Sequence, residues 1–224
     1  MLDRRRAARL GFASVPRSSG ASPRITLYHA PRSRSSRFIF LLEELGAPYR
    51  LQIVSIRRRD GSGAVDASNP HPHGKVPVIR DEDVLVFESA AIALYLTDKF
   101  PENGIGPLPG EAKRGSYLTW LAYYAGVMEP AWVSAFMQWQ APRGTAGWVG
   151  SDEVLAFVNA TLEKGPYLLG EMFSAADVLV GTTFALFLGG PLLPRTPLHE
   201  GYAVKLLPAT ATGEAAAMPV VAVF

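Results

Sequence analysis

The chain has 224 residues, of which 48% are hydrophobic, and a formal net charge of +2. This length and apolar content are sufficient for two small domains with buried cores. No apolar run reaches the ~20 residues that a membrane-spanning helix needs, so we predict a soluble, cytoplasmic protein with no membrane partner. The absence of cysteine excludes disulfide scaffolds, thiolate zinc sites and a cysteine nucleophile. Any thiol chemistry would have to use a thiol that arrives with a ligand.

The positive charge is concentrated at the N-terminus. Residues 1–24 contain six arginines and one aspartate, so the remaining 200 residues have a net charge of −3. An acidic remainder argues against nucleic acid as a partner. Residues 1–24 show neither a strand pattern nor a clear helical period, and we predict that they form a disordered or extraneous arm.

The first predicted elements form a β-α-β unit. Residues 25–28 are β-prone, and a helix predicted at residues 38–45 ends at Gly46. The apolar side chains of this helix recur at helical spacing at Phe38, Leu41, Leu42 and Leu45. Alternating apolar residues then predict a second strand at residues 49–53, parallel to the first. We expect residues 56–72 to form a solvated loop or a short irregular helix.

Two further β-prone runs, residues 76–79 and 84–87, are separated by an acidic turn and precede a helix predicted at residues 88–99. Pro77 cannot donate a hydrogen bond to a neighbouring strand, so the chain has a sheet edge or a sharp turn there. A cis bond between Val76 and Pro77 would turn the backbone amide and carbonyl of Val76 outward. An extended peptide could then pair with both groups.

The Glu88-Ser89 pair lies at the start of that helix. A serine near a helix N-terminus offers a hydroxyl together with free backbone amides, and this combination suits a carboxylate. The alternative interpretation of residues 73–89 is an ordinary β-hairpin followed by a helix cap. Residues 73–89 alone are compatible with a peptide-binding edge and with an ordinary hairpin, so the choice between the two depends on evidence from the rest of the chain.

The composition of the chain changes after residue 100. Residues 101–110 contain three prolines and three glycines, which is typical of a linker between domains. Beyond the linker, helices are predicted at residues 111–138, 151–163 and 174–188. Ser174 and Asp177 have the spacing of a capping box, in which each side chain meets the backbone amide of the other residue. The sequence after residue 189 can hold one short helix and then becomes an irregular tail of low complexity.

Together these features resemble the cytosolic glutathione transferase family, in particular its serine-type, bacterial theta- and zeta-like branches. Four motifs carry the resemblance: a Val-Pro before the third strand, a Glu-Ser pair that opens a helix, a proline-rich linker and a capped, buried helix. They belong to residues 25 to about 200. The resemblance implies an α/β thioredoxin-like N-terminal domain at residues 25–100, a linker at residues 101–110 and an all-α C-terminal helical domain at residues 111–224.

For function, the resemblance implies a glutathione S-transferase that conjugates the glutathione thiolate to a hydrophobic electrophile, as in detoxification. Glutathione is then a co-substrate, no metal is needed, and a homodimer is expected. The electrophile should lie between the domains, against an aromatic surface made by Tyr117, Trp120 and Tyr124. The same fold could instead support a glutathione-dependent isomerase, peroxidase or dehalogenase. A non-enzymatic alternative is a glutathione-transferase-like binding or assembly module.

In the serine-type branches, the hydroxyl that activates the thiol follows the first strand and lies four residues before an arginine. The resemblance therefore points to Ser33, four residues before Arg37. A free thiol has a pKa of about 8.5. A hydroxyl donor, a helix N-terminus and nearby cations such as Arg32 or Arg34 would all lower this pKa and favour the thiolate.

Other interpretations of these polar residues stay open. Ser35 would replace Ser33 as the activator if the start of the helix shifts by one or two residues, and Tyr28 is a further candidate. For Ser33 itself, helix capping alone is the structural alternative. His71 and His73 could suggest a metal site, but they have no carboxylate cluster beside them, so we expect them to be loop residues.

The resemblance also implies how glutathione is held. Its expected contacts are Ser35, His73, Lys75, Val76, Pro77, Glu88 and Ser89. Val76 would pair with the cysteinyl backbone, while Lys75 and His73 would contact the glycine carboxylate. Glu88 and Ser89 would hold the γ-glutamyl end.

Overall fold

The computed structural model describes residues 24–139, 142 and 144–205. The predictions for residues 1–23 and for the tail after residue 205 lie outside these ranges. The sheet part contains, in chain order, β1 (Ile25–His29), α1 (Ser36–Glu44), β2 (Tyr49–Ile53), β3 (Val78–Asp81), β4 (Val84–Phe87) and α2 (Ser89–Lys99). The order of strands and helices is the predicted one, and residues 56–72 form a loop without a helix.

The four strands form one mixed sheet in the order β2-β1-β3-β4. β1 is parallel to β2, whereas β3 runs antiparallel to both β1 and β4. α1 packs on β1, and α2 packs on β4 and on α1. The buried face of α1 contains Phe38, Leu41 and Leu42, as its periodicity predicts. This part of the chain is therefore the predicted thioredoxin-like α/β domain.

The second half of the described chain is helical. After a 3-10 turn at Pro101–Asn103, the helices are α3 (Arg114–Tyr123), α4 (Glu129–Phe136), α5 (Ser151–Leu162), α6 (Ala175–Phe187) and α7 (Pro197–Val204). A π-helical turn, Tyr124–Met128, joins α3 to α4, where one uninterrupted helix was predicted. Pro130 explains the interruption, because proline has no N–H to donate to the carbonyl four residues earlier. Within the described ranges, no helix combines the length and the apolar character needed to cross a membrane.

One continuous hydrophobic core joins the sheet part to the helical part. Its centre is α6, which packs against α1, α2, α3 and α7 and is buried over most of its length. The predicted linker belongs to this packing, since Ile105 is buried and its carbonyl accepts a hydrogen bond from the amide of Ala175 (2.8 Å). A Cβ atom at Gly106 would lie only 2.7 Å from Thr97. The linker therefore passes too close to α2 to carry a side chain at that position.

Half of the predicted capping box forms at the start of α6: Asp177 accepts from the Ser174 amide, whereas the Ser174 hydroxyl donates to the Asp177 carboxylate and accepts no bond from the Asp177 amide. Asp177 also has partners beyond the motif. Its carboxylate accepts hydrogen bonds from the Ser174 amide (2.9 Å) and from the Ser174 hydroxyl (3.0 Å). It also accepts from the Leu168 amide (2.8 Å) and from the Tyr202 hydroxyl (3.0 Å). Burial raises the pKa of Asp177 to about 6, although all four donors favour the ionised form. Asp177 thus connects α6 to the preceding loop and to α7.

Asp177→Asn should destabilise the protein, because the new amide group would direct N–H groups at buried donors. We expect the free energy of unfolding to fall by about 2–3 kcal/mol. The pKa of about 6 in the folded state lies above the ordinary value of 3.8, so the folded protein holds the Asp177 proton more tightly than the unfolded chain does. The free energy of unfolding of the wild type therefore exceeds that of Asp177→Asn by the largest amount below pH 3.8. This difference declines as the pH rises through about 6.

Urea unfolding of both proteins from about pH 4 to about pH 7 measures this difference directly. A difference in the free energy of unfolding that grows with pH would contradict the direction of the pKa shift.

Candidate active site

The register of the sheet brings three predicted binding segments to one end of it. Val78, the first residue of β3, pairs with Tyr28 near the carboxyl end of β1 and with Phe87 at the end of β4. Val76 lies two residues before Val78, Glu88 follows Phe87 directly, and the serine-rich loop follows β1. The segments that were predicted to hold glutathione therefore meet at the same end of the sheet.

The bond between Val76 and Pro77 is cis, which is the conformation that was expected to turn the Val76 backbone outward. Val76 is half-buried and lies outside β3. Among the residues that the structure describes, none forms a hydrogen bond with the backbone amide or carbonyl of Val76. Both groups are thus available to the backbone of an extended ligand.

Glu88 precedes α2 in an unusual backbone conformation, with φ 70° and ψ 127°. A non-glycine residue at positive φ costs on the order of 1–3 kcal/mol, and such residues cluster at functional sites. The carbonyl of Glu88 accepts a hydrogen bond from the Ile92 amide (2.9 Å), so α2 fixes its position. No group in the described part of the chain bonds to the Glu88 carboxylate or to the Ser89 hydroxyl. Both side chains can therefore meet a polar ligand at the N-terminus of α2.

The loop that leads to β3 is fixed by its own side chains. Asn69 donates from Nδ2 to the carbonyl of Lys75 (3.1 Å) and accepts at Oδ1 from the amide of His71 (3.1 Å). His71 accepts at Nδ1 from the amide of His73 (2.9 Å), and its ring contacts Phe87. The side chains of His73 and Lys75 are exposed beside this loop. The described residues contain no group of three or more His, Cys, Asp or Glu that could hold a metal ion.

The two candidate serines share one buried hydrogen-bond network with His29, which the sequence did not single out. Ser33 Oγ donates to the carbonyl of Ala30 (2.7 Å) and lies 2.7 Å from Ser35 Oγ. Ser35 Oγ lies 2.8 Å from His29 Nδ1 and accepts from the Ala30 amide (3.2 Å). His29, Ser33 and Ser35 are 4%, 6% and 0% exposed, and burial lowers the pKa of His29. Ser35 is the N-cap residue of α1, yet its side chain makes no capping bond.

The alternative activator Tyr28 lies apart from this network. Successive residues of a strand point to opposite faces of the sheet, so the side chains of Tyr28 and His29 are on different faces. The hydroxyl of Tyr28 accepts a hydrogen bond from Arg80 Nε (3.4 Å). Tyr28 therefore belongs to the polar face of the sheet, away from the two serines.

Glu129, at the start of α4, anchors the start of α1 to the helical part. Both of its carboxylate oxygens accept from Arg34 Nε (2.9 and 2.8 Å), and Oε1 lies 4.0 Å from the buried Arg37. Tyr124 donates to Glu129 and accepts from Arg37. Burial alone would raise the pKa of Glu129, but the charges of Arg34 and Arg37 outweigh it and hold this pKa below its ordinary value. Arg34, a candidate cation beside the thiol, is thus neutralised by a carboxylate.

The three residues that were predicted to face a second substrate lie in the core. Tyr117, Trp120 and Tyr124 are 0%, 6% and 1% exposed. The hydroxyls of Tyr117 and Thr97 are 3.0 Å apart, and the ring of Trp120 stacks on Phe157 with 5.1 Å between centroids. An apolar stripe at helical spacing looks the same in sequence whether it faces a core or a cleft. The role of these three residues as substrate contacts stays a prediction that their burial does not support.

A loop from the sheet part reaches the helical part next to the serine-rich loop. Arg58 donates to the carbonyls of Pro31 (2.6 Å) and Arg32 (3.2 Å). The guanidinium of Arg59 lies over the ring of Phe136, 5.0 Å from its centroid, which is a cation–π contact. Phe136 is 40% exposed. This loop therefore connects the serine-rich loop to α4.

Comparisons with known proteins agree with this geometry. The family described as Glutathione S-transferase, N-terminal domain, matches residues 27–104. Glutathione S-transferase 3 of Schizosaccharomyces pombe is 29% identical over 171 residues, which cover 68% of this chain and 70% of the relative. Disulfide-bond oxidoreductase YfcG of Escherichia coli is 29% identical over 167 residues, which cover 69% of this chain and 76% of the relative.

A solved structure extends the similarity to the helical part. A sphingomonad glutathione S-transferase complexed with glutathione is 26% identical to this chain, with a TM-score of 0.65. The match covers 86% of this chain and 98% of that one. The predicted fold class, a thioredoxin-like domain followed by an all-helical region, is thereby confirmed.

Glu129→Gln should destabilise the protein strongly, because it leaves the buried guanidinium of Arg37 without a carboxylate partner. We expect the free energy of unfolding to fall by about 3–4 kcal/mol. Urea unfolding near neutral pH, where Glu129 is ionised, measures the change.

Glu200→Gln is the matched control, since Glu200 also lies in the first turn of a helix and pairs with an arginine, Arg195. Both side chains of this second pair are largely exposed, so we expect less than about 1 kcal/mol. Equal losses in the two variants would show that the Glu129 cluster contributes no more than a surface ion pair.

Proposed function

Because the chain belongs to the glutathione transferase family, we propose that it is a glutathione S-transferase that conjugates the thiolate of glutathione to a hydrophobic electrophile. The observation that carries the proposal is the unpaired backbone of Val76, which lies at the same end of the sheet as Glu88, Ser89 and the buried serines. Main-chain groups, a helix N-terminus and hydroxyl donors are what a small peptide thiol requires. The enzyme would act as a cytoplasmic homodimer and would need no metal.

Glutathione would lie extended beside Val76. Its cysteinyl amide and carbonyl would pair with the carbonyl and amide of Val76. The α-amino group of the γ-glutamyl end would meet the Glu88 carboxylate, and the α-carboxylate would meet the Ser89 hydroxyl and the first amides of α2. The exposed ammonium of Lys75, with His73 next to it, would pair with the glycine carboxylate.

Ser33 would act on the sulfur. A thiol with a pKa of about 8.5 is mostly protonated at neutral pH. A hydroxyl that donates to the sulfur, together with the N-terminus of α1, favours the thiolate, and the thiol proton leaves to solvent. The thiolate then attacks an electrophilic carbon and forms a C–S bond, while a leaving group departs or an electron pair moves onto a conjugated acceptor. Holding the two substrates side by side supplies the remaining acceleration.

Ser33→Ala should raise the pKa of the bound thiol and slow turnover. Losing one hydrogen bond to a charged group costs about 1.5–3 kcal/mol, which corresponds to about 1–2 pKa units and a roughly 10- to 100-fold lower rate at neutral pH. Glutathione binding should persist, because the main-chain contacts are unchanged. Retention on immobilised glutathione, followed by conjugation of a general aromatic electrophile, measures both properties.

Ser36→Ala is the matched control from the same segment and should leave turnover unchanged. Ser35→Ala should lose less activity than Ser33→Ala, since Ser35 would act through Ser33. A larger loss at Ser35 would make Ser35 the activator. Retention without turnover in the wild type would favour the binding or assembly module, and a wild type that is not retained would refute the glutathione site.

The similarity to a disulfide-bond oxidoreductase favours a second candidate function, the reduction of disulfides by glutathione. The bound thiolate would attack one sulfur of a substrate disulfide, form a mixed disulfide with glutathione and release the other sulfur as a thiolate. Because the chain has no cysteine, a second glutathione would have to resolve the mixed disulfide and leave as oxidised glutathione.

A substrate panel separates the candidates. The same preparation is assayed with an aromatic electrophile, with a mixed disulfide of glutathione and a small thiol, and with substrates for isomerisation, peroxide reduction and dehalogenation. We expect conjugation to be fastest and to depend on Ser33. Disulfide reduction that outpaces conjugation and is lost in Ser33→Ala would favour the second candidate.

A further inference from the structure

We propose that His29 is a positioning residue for the glutathione thiolate. Its Nδ1–H would orient the hydroxyls of Ser35 and Ser33 in series, so that Ser33 directs its own proton at the bound sulfur. This inference rests on the proposed function, with Ser33 as the hydroxyl that meets the thiol.

The geometry provides an unbroken chain of short contacts. His29 Nδ1 lies 2.8 Å from Ser35 Oγ, and Ser35 Oγ lies 2.7 Å from Ser33 Oγ. Two backbone amides donate into the same chain, that of Ala30 to Ser35 Oγ and that of Ser35 to Ser33 Oγ, each at 3.2 Å. All three side chains are buried, so these bonds form in a low-dielectric environment, where hydrogen bonds in series strengthen one another.

The position of the imidazole proton determines which way the two serine hydroxyls donate. Each serine hydroxyl has one proton to donate and two lone pairs to accept with. If Nδ1 carries no proton, Ser35 donates to it, and both Ser35 Oγ and the Ala30 carbonyl, each at 2.7 Å, compete with a ligand for the Ser33 proton. Ser33 then receives no hydroxyl donor from Ser35 that would strengthen its own bond to a thiolate.

If Nδ1 carries a proton, the direction of the chain reverses. Ser35 Oγ then accepts from His29 and from the Ala30 amide, and it donates its own proton to Ser33 Oγ at 2.7 Å rather than to the Ala30 carbonyl at 3.3 Å, because the shorter contact makes the stronger bond. Ser33 Oγ in turn accepts from the hydroxyl and the amide of Ser35, so its lone pairs are filled. Its proton can only be donated, to the Ala30 carbonyl or to a ligand. A bound thiolate is the stronger acceptor of the two, because its hydrogen bond is charge-assisted.

A neutral imidazole is sufficient for this role. Burial lowers the pKa of His29, so the ring is neutral at neutral pH and carries one proton, on either nitrogen. The anionic sulfur favours the Nδ1–H tautomer, because only that tautomer aligns every donor toward the charge. His29 itself never touches the substrate and acts only through Ser35 and Ser33.

The test compares His29→Leu with His29→Asn. Leucine removes the donor, whereas the asparagine side-chain amide can place an N–H near the position of Nδ1 but cannot act as an imidazole. The readout is the pKa of the thiol in bound glutathione, from the ultraviolet absorbance of the thiolate during a pH titration. We expect His29→Leu to raise this pKa by about one unit and to lower turnover roughly tenfold at neutral pH. The KM for glutathione should stay within about twofold.

Two further expectations separate positioning from a merely structural role. His29→Asn should restore most of the wild-type thiol pKa. The turnover of His29→Leu should approach that of the wild type at a pH above the raised thiol pKa, where the sulfur is ionised in both proteins. His199→Leu is the matched control, because His199 is also buried, and its two nitrogens contact Asn159 and the Pro194 carbonyl in the helical part. It should leave the thiol pKa unchanged.

A thiol pKa that is unchanged in His29→Leu but raised in Ser33→Ala would overturn the inference and leave the proposed function intact. An asparagine variant as impaired as the leucine variant would also overturn the donor role. If His29→Leu does not fold, Ser35→Ala interrupts the same chain and must raise the thiol pKa, and no change there would equally overturn the inference. A wild type that binds no glutathione would instead refute the proposed function.

Discussion

The antiparallel pairing of β3 between β1 and β4 is the interaction on which the candidate site depends. Because Val78 is paired with Tyr28 on one side and with Phe87 on the other, three segments that are remote in sequence end at one edge. An extended peptide bound at that edge could contact the Val76 backbone, the start of α2 and the serine-rich loop at the same time. A shift of the register by one residue would turn the apolar side chains of β3 away from the core, so the packing of the core also fixes the site.

Helices of the helical part pack against the elements that form this edge. α6 packs against both α1 and α2, the two helices whose N-termini face the candidate site. Asp177 secures the start of α6, and Glu129 secures the start of α1 through Arg34 and Arg37. The hydroxyl of Ser33 is consequently held by packing that extends well beyond its own loop, which is how a site is pre-organised for a small ligand.

Local motifs in the sequence predicted much of this structure. The strands and helices follow from periodicity, and the conformation at Pro77 and the bond from the Ser174 amide to Asp177 follow from residues close together in the chain. Such features are determined by a few neighbouring residues, so the sequence signal for them does not depend on the rest of the fold. The π-helical turn was missed, although Pro130 is a visible signal for it, because proline in the first turn of a helix is ordinarily tolerated.

The rest depends on contacts between remote segments. Arg34 and Glu129 are 95 positions apart, and no local pattern indicates that they pair. In the sequence, His29 is simply the last residue of a strand, and only the folded structure shows that it lies beside Ser35. The stripe that includes Tyr117 and Trp120 was predicted to line a cleft, and its burial does not support that role, because helical spacing identifies an apolar face without saying what covers it.

That an extended peptide thiol binds at this edge and loses its proton there can be measured in one experiment, calorimetric titration of glutathione in buffers of different ionisation enthalpy. Binding with release of nearly one proton per site is the predicted result at a pH between the lowered pKa of the bound thiol and the free value of about 8.5, since only there is the free thiol protonated and the bound one ionised. Heat without proton release, or no heat at all from folded protein, would contradict it.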